Sequence, residues 1–521
     1  MMSQTKSRLI KNDHKVFFLI LIISFSVLIF TASAHRFTSD DYLAYSQAER
    51  IVNQTPIPNF VLGETRAGLQ GSGEIQWDFP TCKDPIICSN VPLVYSISLI
   101  PLIQLEQNLN ILPDKDLTLD DFDDNHYVWW RNTLSNEETF TFLFYGPLIT
   151  AISTAILFSI CRTYNFSLKI SITIAFLYVF TTMAWAYSST AMNVVLVSMI
   201  ILLSFYFYRK FIQNQSSSSL IFCGFSLGIS VLVRYDSFII VGIILVFLIG
   251  TILKNKSKLK NLTCLLIPLF FCAIIFMGIN YIQFGTLLEY SFKTESGYGL
   301  GPTSPIHVGV FGLLFSPGAG LFIFSPILFT IFVSFFDFYK KDKSSFFIFS
   351  AYLVSMLVFF GSLETWHGFV SWGPRYLLPV IPFLLIPLAA SIEKRNNISF
   401  RAIILILGAI GAFFSFMWLI QDVSWFVWGP FGGDTGLYSL GVAGMHNLYL
   451  NPVVLWTFES SQLIQSINLA FNHLQVDLFL FKLLGPAAAT LVLLGITIPL
   501  IFILKSAVNI KRSVFSTNKI D

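Results

Sequence analysis

The stretch KVFFLILIISFSVLIFTASAHRFTSDDYLAYSQAERI, Lys15–Ile51, runs from an apolar segment straight into two adjacent carboxylates, Asp40 and Asp41. Val16–Ala34 has about the 20 residues that a membrane-spanning helix needs. Thr38 or Ser39 then caps a second helix whose first turn holds both acids, where the positive end of the helix dipole favours anions. Thr38-x-x-Asp41 also fits the short form of a capping box. Ala44, Ala48 and Ile51 recur on one face, while Gln47 and Glu49 keep the remainder polar, as in a helix lying along a membrane surface. On these residues alone two readings stand: capping acids on an interfacial helix, or the working end of an enzyme whose body is in the membrane.

The composition places that stretch in a polytopic membrane protein. Of the 521 residues 55% are hydrophobic and 12% charged, against about 25% charged in soluble domains. Apolar runs of spanning length fall at Val16–Ala34, Thr141–Cys161, Ile170–Ala186, Ala191–Tyr208, Leu220–Val233 and Ser237–Leu253. Others fall at Leu262–Phe284, Gly318–Phe336, Ser345–Gly361, Tyr376–Ile392, Ala402–Ile420 and Leu478–Leu504, about twelve in all. A thirteenth segment, Val91–Leu105, is short and interrupted by Pro92 and Pro101.

Charge placement tests whether that segment crosses. If it does not, one side collects Lys6, Arg8, Lys11, Lys15, Arg162, Lys169, Arg209 and Lys210. The same side collects Lys254 to Lys260, Lys340 to Lys343, Lys394, Arg395, Arg401 and the C-terminal basic residues, while most acids fall opposite. Positively charged loops stay cytoplasmic, so both termini are expected inside and Val91–Leu105 in the outer interface or re-entering from it. The expected organisation is a cytoplasmic segment 1–15, an all-α transmembrane domain 16–504 with long outer loops at 35–140 and 421–477, and a cytoplasmic tail 505–521. "TASA" at Thr31–Ala34 resembles a signal-peptidase site, but its apolar run exceeds the usual 7–15 residues of a signal core, so a retained anchor is expected. The net charge of +3 does not indicate nucleic acid as a partner. Cys161, Cys223, Cys264 and Cys272 lie in apolar runs as packing residues. Cys82 and Cys88 share a polar loop, where an oxidising compartment would allow a disulfide.

Three stretches together resemble the GT-C glycosyltransferases, multi-spanning enzymes that take a sugar from a polyprenyl-phosphate carrier. The first is the opening one: a transmembrane helix, an acidic pair, a tyrosine and a surface helix. The second is LLFSPGAGLFIFSP, Leu313–Pro326, and the third TWHGFVSWGPRYLLPVIPFLLIPLA, Thr365–Ala389, built on Trp-Gly-Pro-Arg-Tyr-Leu-Leu-Pro. The resemblance implies a GT-C-like all-α fold of about twelve spans with interfacial helices in the first outer loop. It also implies catalytic carboxylates at Asp40 and Asp41, inverting transfer and an active site facing outward from the plasma membrane. Where the second motif often carries Arg, this chain has Ala319, so a phosphate contact there is absent. Some enzymes of the superfamily use a divalent cation and others do not.

The chemistry fits those residue types. A positioned carboxylate can take the acceptor's proton, typically worth 10²–10⁴-fold in rate; Asp40 is the expected base, with Asp41 orienting a neighbour or a metal. Fixed positive charge stabilises a departing phosphate, which points to Arg375 and Arg234, with Lys293 a weaker candidate. Arg375 is equally placed to be an interfacial anchor, and Arg234 to pair with Asp236. Tyr376, Trp372 and His367 complete the expected substrate contacts. The Asp422–Asn447 stretch, rich in Gly and aromatic residues, reads as a mobile lid or as a headgroup anchor held by Trp425 and Trp428. Asp114–Trp130 reads as a solvated acidic surface, since it lacks the glycine of a calcium loop. The expected partners are a polyprenyl-phosphate-linked sugar donor, a glycan, lipid or protein acceptor, and membrane lipids. The alternative is a transporter or flippase of a lipid-linked or small polar solute, although such proteins carry ionisable groups at midplane and these spans are almost free of charge. A third reading is an assembly factor that keeps the fold, in which Asp40 and Arg375 are dispensable.

Overall fold

Long apolar runs bounded by capping residues become helices because a bilayer leaves no other partner for the backbone. The computed structural model describes residues 2–34, 39–54, 89, 91–109, 140–288, 304–363, 365–368, 371–395, 397–421, 452–472 and 476–516. The helices are α1 (Met2–Phe30), α2 (Ser39–Asn53), α3 (Leu93–Leu109), α4 (Phe140–Thr163), α5 (Leu168–Thr181), α6 (Ala184–Tyr187), α7 (Asn193–Asn214), α8 (Ser217–Val233), α9 (Phe238–Ile252) and α10 (Lys258–Phe284). They continue as α11 (Ile306–Phe315), α12 (Leu321–Phe324), α13 (Ile331–Lys341), α14 (Lys343–Gly361), α15 (Ile381–Lys394), α16 (Ile398–Leu419), α17 (Pro452–Trp456), α18 (Gln462–Asn472), α19 (Phe479–Leu484) and α20 (Pro486–Ser516). Among the described residues the one β-type contact is an isolated antiparallel bridge between Gln421 and Val476.

Nine of these stretches are long and apolar enough to cross a membrane. Three of the twelve expected runs are not among them. Ile170–Ala186 divides into the 14-residue α5 and the short α6, Leu220–Val233 becomes the 17-residue α8, and Gly318–Phe336 breaks at Ser325–Pro326 into α12, a 3-10 turn and α13. Val91–Leu105 forms α3, which is not among the spanning helices. It packs on α2 and on α4. The Glu106 carboxylate accepts from the Thr141 backbone N–H at 3.3 Å and its hydroxyl at 2.8 Å, satisfying a free donor at the start of α4.

The burial pattern separates a centre from a rim. The run Arg375–Lys394 is 89% buried over its apolar window, against 17% for Lys258–Phe284 and 17% for Pro486–Val508. The first is therefore the axis of the bundle, and the other two present apolar side chains outward. Helix α4 packs on α1, α5 and α7, and α5 on α15 and α16. Cys161, Cys223 and Cys272 are buried and Cys264 half-buried, all as free thiols.

One end of the bundle is fastened by ion pairs. Arg162 meets Asp13 at 3.0 Å, Arg209 meets Asp342 at 2.6 Å and Lys341 meets Glu393 at 2.6 Å. Asp342 also caps α14 through the Ser345 N–H at 2.9 Å, while Arg209 lies 3.9 Å from the Tyr164 ring centroid. Asp337, 3% exposed, accepts from Ser391 at 2.8 Å, Lys394 at 2.6 Å and Arg395 at 3.0 Å. Burial alone would raise its carboxyl, but these three donors outweigh it and hold the pKa at about 2. Asp13, Asp337, Asp342 and Glu393, acids lying among the basic residues, are thus each paired there.

Candidate functional site

The opposite end holds Asp41, Arg234, Tyr376 and Arg375 of the residues singled out from the sequence. Asp40 lies in the first turn of α2, with its side chain outside the described residues. Asp41 beside it is fully buried. The Tyr95 hydroxyl, from α3, lies 3.5 Å from the Asp41 Oδ1 and also donates to the Ala191 carbonyl. Ala44 and Ala48 are buried as the helical spacing predicts. Gln47 differs: it is fully buried and its Oε1 accepts from Ser96 at 2.6 Å. The supposed polar face of α2 is a second contact face, because α3 covers it and offers a hydroxyl.

Between α5 and α7 the chain leaves regular structure, and residues 182–192 are buried except for the half-buried Trp185. Irregular backbone survives at membrane depth only inside protein or along a cavity, and here α4 makes the room. A Cβ on Gly146 would sit 2.2 Å from the Thr190 carbonyl oxygen and 2.3 Å from that of Ser188, so a glycine is required. The segment is pinned from other sides as well. The Met183 N–H donates to Ser325 at 3.1 Å, Ser415 donates to the Thr182 carbonyl at 3.1 Å, and the Trp185 indole donates to Thr31 at 3.1 Å. Ser325 thereby ties the second sequence motif to this buried crossbar.

The arginines meet the same segment. Arg234 donates to Asp236 at 2.7 Å and to the Asn193 side-chain oxygen at 3.2 Å. Its guanidinium lies 5.5 Å from the Tyr376 ring centroid, and that of Arg375 lies 5.4 Å from the same centroid. Phe360 stacks on Tyr376 at 4.2 Å and 7°, fixing the ring within reach of both guanidiniums, whose charge the ring quadrupole attracts. The local Arg234–Asp236 pair and the gathering of Arg234, Tyr376 and Arg375 are therefore both present. Burial pushes the Tyr187 phenol of α6 up, and nearby Arg375 opposes the shift.

In the third motif Gly368 lies against the side chains of Arg375 and Ser371. Gly368 has φ +83°, and a Cβ there would lie 2.9 Å from the Arg375 Cγ. Ser371 donates to the Gly373 carbonyl at 3.1 Å. His367 is buried, and desolvation, with Arg375 adding to it, lowers its pKa to about 3; it is neutral at ordinary pH. Trp372 is buried edge-on against Phe324 at 4.8 Å and tilted on Trp418 at 4.7 Å. These contacts give it a packing role. In the second motif the Ser316 hydroxyl donates to the Leu455 carbonyl, Gln462 donates to the Gly318 carbonyl at 2.7 Å, and Ala319 is buried. Lys293, Cys82, Cys88, Asp114–Trp130 and Asp422–Asn447 lie outside the described residues.

Sequence reasoning missed Tyr95, Tyr187 and Asn193. Their trace is faint: the polar run Ser188-Ser189-Thr190 between two apolar segments, and a tyrosine in a helix expected only to lie on the surface.

The fold defines a class: a helical, multi-pass integral membrane protein. Residues 127–278 match the family model described as dolichyl-phosphate-mannose-protein mannosyltransferase, in agreement with the resemblance to the GT-C glycosyltransferases. Crystal structures of ArnT from Cupriavidus metallidurans also align with this chain. The one bound to undecaprenyl phosphate has 12% identity over 83% of this chain and 73% of that one, with a TM-score of 0.48. The apo state has 11% identity over 86% and 74%, with a TM-score of 0.44. No curated protein matches the sequence.

Proposed function

We propose that this protein is an integral-membrane glycosyltransferase that moves a sugar from a polyprenyl-phosphate carrier to an acceptor on the outer face, with inversion. The observation that carries the reading is that the carboxylate and the cations are tied to adjacent residues: Asp41 through Tyr95 to Ala191, Arg234 to Asn193 at the start of α7, and Arg375 beside Arg234 across Tyr376. The donor class follows the description of the matched family, a dolichyl-phosphate-linked mannose.

In the proposed step the acceptor hydroxyl gives its proton to Asp40, and its oxygen forms a bond to the anomeric carbon. The bond from that carbon to the phosphate oxygen breaks, and the polyprenyl phosphate leaves with the electron pair. Arg375 and Arg234 face the negative charge that develops there, where preorganised cations are worth most. His367, being neutral, can only hydrogen-bond. Asp41, buried against Tyr95, holds the start of α2 in place. Among the described residues no three His, Cys, Asp or Glu side chains converge.

The test is release of radiolabelled sugar from polyprenyl-phosphate donors by wild type and Asp40→Asn in nanodiscs, with thermal melting alongside. Turnover by wild type that is lost in a variant of unchanged melt supports the reading. Equal turnover rejects Asp40 as base and leaves Asp41. No turnover in either, with saturable stabilisation by the lipid-linked sugar, favours a transporter.

A further inference from the structure

We infer that Tyr95 is a positioning residue for the reaction proposed above: its hydroxyl keeps the Asp41 carboxylate in register with the buried crossbar, which runs on into Asn193, the partner of Arg234. The inference depends on that reading of the site.

Tyr95 is fully buried, and its ring alone would fill the same space as phenylalanine. What phenylalanine lacks is the hydroxyl, which carries one proton and faces two acceptors, the Ala191 carbonyl and the Asp41 carboxylate. The single proton keeps a partner as long as either acceptor stays, so the phenol tethers the pair together: losing both would leave a buried donor unpaired, which is costly. The turn of α3 that carries it is itself braced on three sides. Ser98 shares a hydrogen bond with the Tyr145 hydroxyl of α4 at 2.6 Å, and Ser96 donates to Gln47 of α2. The third brace is the Tyr95–Ala191 bond itself.

Ala191 lies two residues before Asn193, whose side chain accepts from Arg234. A shift of α2 relative to α7 would therefore change the spacing between carboxylate and guanidinium, and Tyr95 is the side chain that spans that joint. Reactions that depend on such spacing lose rate steeply, about a hundredfold for a misplacement of about 1 Å.

The test joins kinetics to a cycle of melts on the full chain in nanodiscs. Tyr95→Phe is expected to lower kcat by about tenfold or more, with KM for the lipid-linked sugar within about twofold. In the cycle of wild type, Tyr95→Phe, Asp41→Asn and the double variant, the melting shifts are expected to be non-additive, since removing either partner already breaks the link. An unchanged kcat, or a fall in kcat matched by a rise in KM, overturns the positioning role. Absence of transfer by wild type overturns the glycosyltransferase reading itself. The melts tell the two failures apart, because they read the Tyr95–Asp41 link without turnover: additive shifts overturn it and non-additive shifts support it.

Discussion

Replacing Gly368 by alanine tests whether the third motif exists to aim Arg375. The backbone there has φ +83°, a conformation that costs an L-residue roughly 1–3 kcal/mol. The new methyl would also lie 2.9 Å from the Arg375 Cγ, whereas ordinary contact begins at 3.4 Å. The arginine must retreat by about half an ångström, and a shift of that size at a reacting centre is worth about tenfold in rate. Gly485 supplies the control. It has φ +81° and ψ 149°, and a Cβ there meets nothing within 4 Å. Gly485→Ala therefore carries at least comparable backbone strain without touching any side chain of the site. In purified protein both variants should melt earlier than wild type, and only Gly368→Ala should lose about tenfold in kcat/KM for sugar transfer. Wild-type kcat/KM in Gly368→Ala, or an equal loss in both variants, would refute the idea that this turn aims the arginine.

Two predictions concern acid. His367 has its pKa depressed to about 3 from the ordinary 6.5, so its contribution to stability is complete above pH 6.5 and is lost as pH falls toward 3. At pH 5 the loss is about 2 kcal/mol; wild-type melts should drop from pH 6.5 to 5, and His367→Gln should flatten that slope. Asp337, held at about 2 against 3.8, contributes roughly 2 kcal/mol above pH 3.8 that disappears through pH 2. Asp337→Asn should therefore lower the melt at pH 7 and leave transfer kinetics within about twofold, since it unpairs Lys394 and Arg395 at the far end from the site. A variant that melts like wild type would show that the pairs there contribute nothing net.

Periodicity and charge were readable where a helix obeys one rule over its whole length. The long spans, the buried Ala44–Ala48 face and the pairing of Arg234 with Asp236 follow from spacing alone. Gln47 was misread because a polar residue on an amphipathic helix signals water unless a neighbour supplies a hydroxyl, and Ser96 comes from a helix more than 40 residues away in the chain. The broken Gly318–Phe336 run was likewise opaque. Its total hydrophobicity is that of a span, while Ser325–Pro326 interrupts the hydrogen-bond ladder. Arg375 was legible as a cation on the wrong side of a charge bias, but its neighbours were not. The contacts of Tyr95, Tyr187 and Asn193 depend on how three distant segments meet.

The buried crossbar at residues 182–192 also bears on how this chain enters a membrane. Helix α5 has 14 residues, about 21 Å at the rise of an α-helix, against a hydrocarbon core of about 30 Å. Neither α5 nor the irregular backbone behind it is a comfortable lodger in lipid by itself. The crossbar's shelter comes from distant parts of the chain: α4 offers the notch at Gly146, while Ser325 and Ser415 bond to the segment from much later in synthesis. A ribosome stalled before α16 would leave this segment half-dressed, and membrane quality-control proteases would meet it there first.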